Sequence, residues 1–555
     1  MPYRAPVNDI TFCLAHVVGF DRVQASAPFA EATTDVVQAI LTEAGRICED
    51  VIAPLNRAGD LHPARLENGI VRTSPGYGDG YHALAEAGFM GISSNPEYGG
   101  LGLPHTVTTA VNEMIGGACL SLELNPLMTQ GQIEAMEHHA SDAIKDLYLP
   151  KLNSGEWSGT MNLTEPQAGS DVGALTSKAV PNGDGTYAVS GQKIYISWGD
   201  NDFTENVVHL VLARLPDAGP GTKGISLFLV PKKIPDANGN PGVANTLKVV
   251  SLEHKMGLHG SPTCVMQYDG ATGWLIGEEN KGMAAMFTMM NNARLGVGVQ
   301  GVSIADAAYQ HALAYAADRK QGRTQGPTGA IVDHADVRRM LMEMKSETFA
   351  ARAMCLDLAV ALDLAKIGDQ DAAARAAFLT PIAKAYGTET GIKVANTGIQ
   401  VHGGMGFIEE TGAAQYARDV RVAAIYEGTN GIQAMDLVGR KLMDGGDAAF
   451  ALLDEIEATT PDLSPMVTAL RDTTNAILAL DMSDRFGGAV PYLMAFARLL
   501  GAHYHAKAAA TGDSTRQALA DFYITRLLPE AHALMAQARC GSTGLNDLSV
   551  EELAA

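Results

Sequence analysis

MNLTEPQAGSD, residues 161–171, reads as the end of a β-strand running into a turn marked by Pro166, Gly169 and Asp171. It stands near the start of a region, about 155–277, whose short segments are rich in β-branched and aromatic residues. These lie at 186–197, 207–213, 225–230, 247–252 and 263–268. Gly, Pro, Asn and Asp punctuate them at strand-like spacing. A small all-β domain, a barrel, is expected there.

Outward from this region the period becomes helical. Residues 34–57 place apolar side chains at 36, 37, 40, 41, 47, 51 and 52, with Pro54 marking the end of the helix. Helices at 104–117 and 141–152 follow, divided by Gly and Pro. Beyond the β region the pattern predicts helices over 281–320, 334–366, 371–400 and 412–443, with Gly-rich breaks at 322–329 and 403–406. After Gly445 and Gly446 the chain stays helical to 555, and Val467, Leu470, Thr474, Ile477 and Leu478 share one face. The expected architecture is mainly α with an inserted β-barrel. Its parts are an N-terminal helical domain (1–155), a middle β domain (156–277), a C-terminal helical bundle (278–443) and an additional helical domain (444–555).

Composition narrows the function classes. A chain of 555 residues, 46% hydrophobic and without low-complexity tracts, is globular, and its length suits roughly three to four domains or layers. With 62 acidic and 40 basic residues the charge is −22, the wrong sign for phosphate backbones or anionic lipid. Nucleic acid and membrane are therefore not expected partners. Cys13, Cys48, Cys119, Cys264, Cys355 and Cys540 are far apart and suit reduced, buried thiols. His138, His139, His503 and His505 read as solvated helix positions, and no metal site is expected. Residues 4–27 loosely imitate a signal peptide, but Asp9 and His16 interrupt the apolar core and Gly19 weakens it. No run approaches the ~20 apolar residues of a membrane span, so a cytoplasmic location is expected. The string GVGVQG at 296–301 matches a dinucleotide fingerprint, yet helix is expected on both sides of it. Small residues letting two helices pack closely account for it better.

The string at 161–171 resembles the first signature of the acyl-CoA dehydrogenase family. GQKIYISWG at 191–199, Arg319 within DRKQGR, IQVHGGMGF at 399–407, Arg418 with Asp419, and IYEGTNGIQ at 425–433 follow in the family's order over about residues 30–443. The resemblance implies FAD as cofactor. Main-chain groups and hydroxyls around Met161, Leu163, Thr164, Tyr195, Ile196 and Ser197 would meet the polar edge of the flavin ring without adding charge. Tyr195 stands where the family usually has Trp. Arg319 would supply a forked donor to the pyrophosphate, and Gln400, Gly403 and Gly404 the close backbone approach. Gln321 and Gly322 replace a Phe usual in the family. Gly428 and Thr429 would also border the cofactor. In the family this arginine and glycine loop reach a neighbouring subunit's flavin, which implies a homodimer or homotetramer.

Ser170, Asn291 and Arg294 match positions that hold the CoA arm, although Ser170 could cap a turn and Arg294 could form a structural ion pair. Glu427, by itself an ordinary helix-terminal glutamate, matches the family's catalytic base. A thioester α-proton is too weakly acidic for an isolated carboxylate, so charge on the thioester oxygen must be met by placed donors, one such donor being worth ~3–4 kcal/mol. The resemblance assigns these donors to the Glu427 N–H and a flavin hydroxyl. It implies burial that raises the Glu427 pKa, hydride transfer to flavin N5, a trans-2-enoyl-CoA product, and electron-transfer flavoprotein as acceptor.

The tail after 443, the 321–323 variant, HADVRR at 334–339 and YRAPVNDITF at 3–12 together look like the 3-methylmercaptopropionyl-CoA (3-methylthiopropanoyl-CoA) branch, which serves dimethylsulfoniopropionate breakdown. A short to medium acyl chain is expected. Medium- or long-chain β-oxidation and acyl-CoA oxidation are the alternatives. A DNA-binding, alkylation-response relative would need a basic tail, whereas residues 444–555 carry 15 acidic and 7 basic side chains.

Overall fold

The computed structural model describes residues 3–324 and 326–555. They form two compact units, one of residues 35–293 and one of residues 3–34 with 294–555. The division falls inside the helix Gly282–Asp318.

In the 35–293 unit, Pro54 does not end the first helix. Thr34–Ile47 passes through a π turn, Cys48–Ile52, into Ala53–Leu61, and the Ala53 N–H donates five residues back to the Cys48 carbonyl. Proline lacks an N–H and clashes with the carbonyl four residues before it. Widening the turn just before Pro54 lets the helix continue. The helix expected at 104–117 also continues. His105–His139 breaks only at Cys119 (φ −158°, ψ 94°), just past Gly116 and Gly117. Its second half, missed from the sequence, is buried on nearly every side and so shows no amphipathic stripe. Asp142–Asn153 forms where expected.

Seven strands make the barrel. Trp157–Asn162, Asn206–Ala213, Ser226–Pro231, Thr263–Ile276, Tyr187–Ser197 and Lys178–Pro181 neighbour one another in that order, and Leu247–Leu252 pairs with Thr263–Ile276. Only the first pair is parallel. Arg214 closes the ring, its N–H donating to Ser177 O at 2.9 Å and its carbonyl accepting from Ala179 N at 2.8 Å. Asn206–Ala213 and Ser226–Pro231 are buried along their whole length, matching their near-continuous apolar sequence.

In the other unit Ala335–Lys366 and Gln370–His402 pack with the rest of Gly282–Asp318. The GVGVQG string is indeed a helix-packing surface. A Cβ on Gly301 would lie 2.0 Å from Gly387 O, and one on Gly391 would lie 2.7 Å from Gly301 O. The helix expected over 412–443 is broken into Ala413–Val420, a 3₁₀ turn Arg421–Ala424, a bend, and Asn430–Gly439.

The tail contributes Asp447–Thr459, Ser464–Ala479, Ala489–Ala509, Ser514–Phe522 and Glu530–Arg539. The Ser464–Ala479 helix buries Val467, Leu470, Thr474 and Ile477 as its pattern foretold, while Leu478 is only half-buried. His503 and His505, expected in solvent, are buried within Ala489–Ala509 and bond to Thr460 Oγ1 (3.1 Å) and Ser346 O (3.0 Å). Five cysteines are buried as expected, but Cys540 is exposed. Among the described residues no helix is long and apolar enough to cross a membrane, and no group of metal-ligating side chains assembles.

Candidate active site

Within the 35–293 unit, the two motifs that open the site are bolted together. Lys193, fully buried on its strand, donates to Leu163 O (2.9 Å) and to Glu165 Oε1 (2.8 Å), and the Ile194 N–H donates to Thr164 O (2.9 Å). Ser177 and Thr176 also donate to Glu165. Burial works to raise the Glu165 carboxyl, but Lys193, Ser177 and Thr176 outweigh it and bring it to about 2. The sequence reading passed over Lys193 and Glu165. The signal was there, a lysine and a glutamate inside otherwise apolar strand ends.

Two residues on, the Tyr187–Ser197 strand bulges where it meets Thr263–Ile276. Tyr195 takes a left-handed φ of 60° at the bulge and the residue is 61% exposed. Bulges re-aim side chains in this way. Ile196 is buried, so it offers main chain rather than side chain, while Thr164 and Ser197 are half-buried. Met161 packs against the core, Ser170 is exposed on the turn, and Asn291 is exposed next to Asn292, which bonds Glu134 at 2.7 Å.

In the other unit Glu427 and Gly428 adopt consecutive left-handed conformations, φ 56° and 85°. For glutamate this costs ~1–2 kcal/mol, so it persists only where neighbours enforce it. Gln433 Nε2 donates to Glu427 O (3.2 Å) and Gly428 O (3.3 Å), and Thr429 Oγ1 caps the next helix by accepting from Ile432 N (3.2 Å). Lys384 reaches the same turn from the Gln370–His402 helix. Burial pushes the Glu427 carboxyl up to about 7, against the opposing pull of Arg294 and Lys384. Arg294 is buried, and the charges it feels are those of Asp436, Glu427 and Arg440. The structure thus places it in the electrostatic surroundings of Glu427.

Arg319 lies exposed at the end of Gly282–Asp318, and Gln400, Gly403 and Gly404 are exposed at the end of Gln370–His402. His402, stacked on Tyr315 (4.4 Å between centroids) and beside His311 (4.6 Å), ties the two helix ends together. Among the described residues, nothing lies within 4 Å of where a Cβ on Gly403 or Gly404 would stand. Packing therefore leaves the Cα side of both glycines open to close approach from outside, although the Gly403 N–H itself is taken up by the Gln400 carbonyl at the helix end.

Four family models match: Acyl-CoA dehydrogenase, N-terminal domain (34–156), middle domain (160–271) and C-terminal domain (280–443), and Acetyl-CoA dehydrogenase C-terminal like (440–549). The chain belongs to the acyl-CoA dehydrogenase family. It is 47% identical to the 3-methylmercaptopropionyl-CoA dehydrogenase of Ruegeria pomeroyi, covering 89% of this chain and 88% of that protein. It is 36% identical to a butyryl-CoA dehydrogenase of Syntrophomonas wolfei, covering 79% and 75%. The crystal structure of Caenorhabditis elegans ACDH-11 in complex with C11-CoA shares the fold over 99% of this chain and 93% of that one, at a TM-score of 0.76 and 21% identity. The family's three domains and an added C-terminal domain therefore account for the architecture, and the family is one of oxidoreductases. The exposed aromatic at Tyr195, the open glycines at 403 and 404 and the exposed guanidinium of Arg319 fit the demands of an acyl-CoA dehydrogenase cofactor, a flat ring joined to a diphosphate.

Proposed function

We propose that this protein is an FAD-dependent acyl-CoA dehydrogenase that introduces a trans-2,3 double bond into a short- to medium-chain acyl-CoA, with 3-methylthiopropanoyl-CoA among its substrates. The observation that carries the reading is Glu427, a carboxylate on an enforced left-handed turn whose burial raises its proton affinity to about 7. A base poised near neutrality removes a weakly acidic α-proton better than an ordinary surface carboxylate does.

FAD, when bound, supplies the hydride acceptor for Cβ. Main-chain groups of Met161, Leu163, Thr164, Ile196 and Ser197 would hold its ring edge, with Tyr195 as an aromatic wall and Gly428 and Thr429 beside it. Arg319, Gln400, Gly403 and Gly404 would hold its diphosphate. Glu427 takes the α-proton while its own N–H meets the thioester oxygen. Ser170 and Asn291 would orient the CoA arm, and Arg294 would hold both CoA and the Glu427 field. Electron-transfer flavoprotein is the acceptor in this reading. The exposed Phe407, at 87%, with Met405 and Ile408 beside the glycine loop, supports a homodimer or homotetramer.

Substrate size rests on the Ruegeria pomeroyi relative's name and on a methionine-rich core. Met128, Met136, Met286 and Met289 are buried together in the 35–293 unit, with Met161, Met283 and Met290 packed against them. Methionine conforms to irregular apolar groups, thioethers included. The broad-specificity linear acyl-CoA dehydrogenase named in Mycobacterium tuberculosis, 34% identical, supports a wider range of linear chains as the alternative. Comparing kcat/KM for the methylthio ester with butanoyl-, hexanoyl-, octanoyl- and palmitoyl-CoA separates the two. A maximum at palmitoyl-CoA would overturn the short-chain reading. Glu427→Gln keeps the volume and removes the base, so anaerobic flavin reduction should fall by at least ~10² with binding retained. Near-normal reduction would place the base elsewhere.

A further inference from the structure

The bend that carries Glu427 rests on a buried amino group that the reaction as derived does not use. Lys384 has no exposed surface, and its Nζ donates to Gly428 O at 2.9 Å and to Asn430 Oδ1 at 3.0 Å. Both acceptors are neutral. Asn430 is itself tied down, donating to Thr388 Oγ1 (3.0 Å) and Glu389 Oε1 (2.8 Å). A buried ammonium held mainly by neutral oxygens is costly, and burial lowers Lys384 to about 8. An apolar side chain would fill the same volume without that cost.

We infer that Lys384 is the positioning residue of the catalytic base: its ammonium grips the Gly428 carbonyl to hold the left-handed Glu427–Gly428 pair in one conformation, and so keeps a positive charge at the turn that carries the carboxylate. The inference rests on Glu427 being the proton acceptor. Among the described residues, the charges acting on these groups are few. Glu427 faces Arg294 and Lys384; Lys384 faces Glu427, Glu389 and Arg294; Arg294 faces Asp436, Glu427 and Arg440. Both cations pull the Glu427 carboxyl down against burial. With Lys384 neutralised, one of these opposing pulls disappears and the carboxyl rises further above about 7. The deprotonated form is the active one, so the acid limb of the rate moves to higher pH.

The test uses the cofactor-loaded protein with Lys384→Met, Lys384→Gln and Lys384→Arg, and with Glu427→Gln as control. Two quantities are followed against pH. One is the anaerobic rate of flavin reduction by substrate. The other is the Glu427 carboxyl band in infrared difference spectra, assigned by its loss in Glu427→Gln. Lys384→Met and Lys384→Gln should move both midpoints upward by ~1 pH unit, while Lys384→Arg keeps them near the wild-type value. A lowered rate with unshifted midpoints in Lys384→Gln, which keeps a donor and loses the charge, overturns the inference. So does a failure of both uncharged variants to fold, which would make Lys384 a structural residue only. Near-normal flavin reduction in Glu427→Gln would instead show that the base itself is misassigned, whatever the lysine variants do.

Discussion

Lys193 shows how one side chain secures a site it does not enter. It carries the only formal positive charge bonded to Glu165 among the described contacts, and it also holds the Leu163 carbonyl. Removing one member of a buried ion pair strands the other and costs about 3–5 kcal/mol. Lys193→Met should therefore lower the thermal midpoint and the retention of FAD together. Differential scanning fluorimetry with and without added FAD checks this, and an unchanged midpoint would show the pair to be dispensable. At the same scale, part of Glu427's setting was invisible before the fold. Its residue type and neighbours could be matched to a motif, but the left-handed φ and the approach of Lys384 and Arg294 arise from elements far apart in sequence.

At the scale of elements, the glycines of Gly282–Asp318 and Gln370–His402 set how closely those helices approach. Gly298, Gly301, Gly387 and Gly391 face one another's backbones, leaving no room for a methyl group. At Gly301 the obstacle is a main-chain carbonyl, which cannot swing aside as a side chain can. Gly301→Ala should thus destabilise by about 1–3 kcal/mol, and Gly301→Val by more, through overpacking. Urea unfolding of the variants measures it, and a neutral Gly301→Val would mean that the helices can part freely. Because Gln370–His402 also carries Lys384, flavin reduction should slow in the same variants. Proline shows the opposite compensation. The π turn Tyr523–Leu527 precedes Pro529 much as Cys48–Ile52 precedes Pro54. In both places the helix widens before a proline that periodicity alone would read as a stop.

At the scale of the whole chain, the acidic tail is bound into its unit by buried charge. Arg498 meets Glu347 and Glu530, each at 2.7 Å, and Tyr386 donates to Glu347 at 2.5 Å while lying 3.1 Å from the Tyr523 hydroxyl. Arg375 spans Asp357 and Glu455, and Arg516 reaches Asp9 at 2.6 Å. Truncation after Met443 would expose Phe378, which meets Phe496 edge to face at 5.0 Å, and would remove Arg498 from Glu347 and the Tyr504 hydroxyl from Asp357. Such a chain should aggregate on expression. A soluble, fully active truncated enzyme would contradict this.

The same contacts predict an acid limit. Burial works to raise Glu347, but Arg498, Lys393 and Tyr386 bring it to about 2. A carboxylate depressed in the folded state lends stability above its unfolded pKa of about 4.3, and that stability drains away as pH falls from there towards 2. Circular dichroism should show helix loss in that window. Glu347→Gln, which cannot titrate, should be less stable at pH 7 and show a weaker dependence below pH 4.3.

The order of helix, barrel, helix and tail was legible in the residues alone, because strand and helix periods and their Gly and Pro breaks are local properties of the chain. The sequence also singled out Glu427, Arg319 and the glycine loop through short motifs that match the family's. Elements buried on all sides escaped it. The second half of His105–His139 buries polar and apolar residues alike and so shows no amphipathic stripe, and nothing local marks His503 and His505 of Ala489–Ala509 as buried. Only tertiary structure decided that the 412–443 segment bends at Glu427, that Lys384 and Arg294 flank that bend, and that Lys193 clamps Glu165. Each of these depends on groups distant in sequence sharing a place from which water is excluded. There burial, charge and backbone strain act together, and no local pattern records their sum.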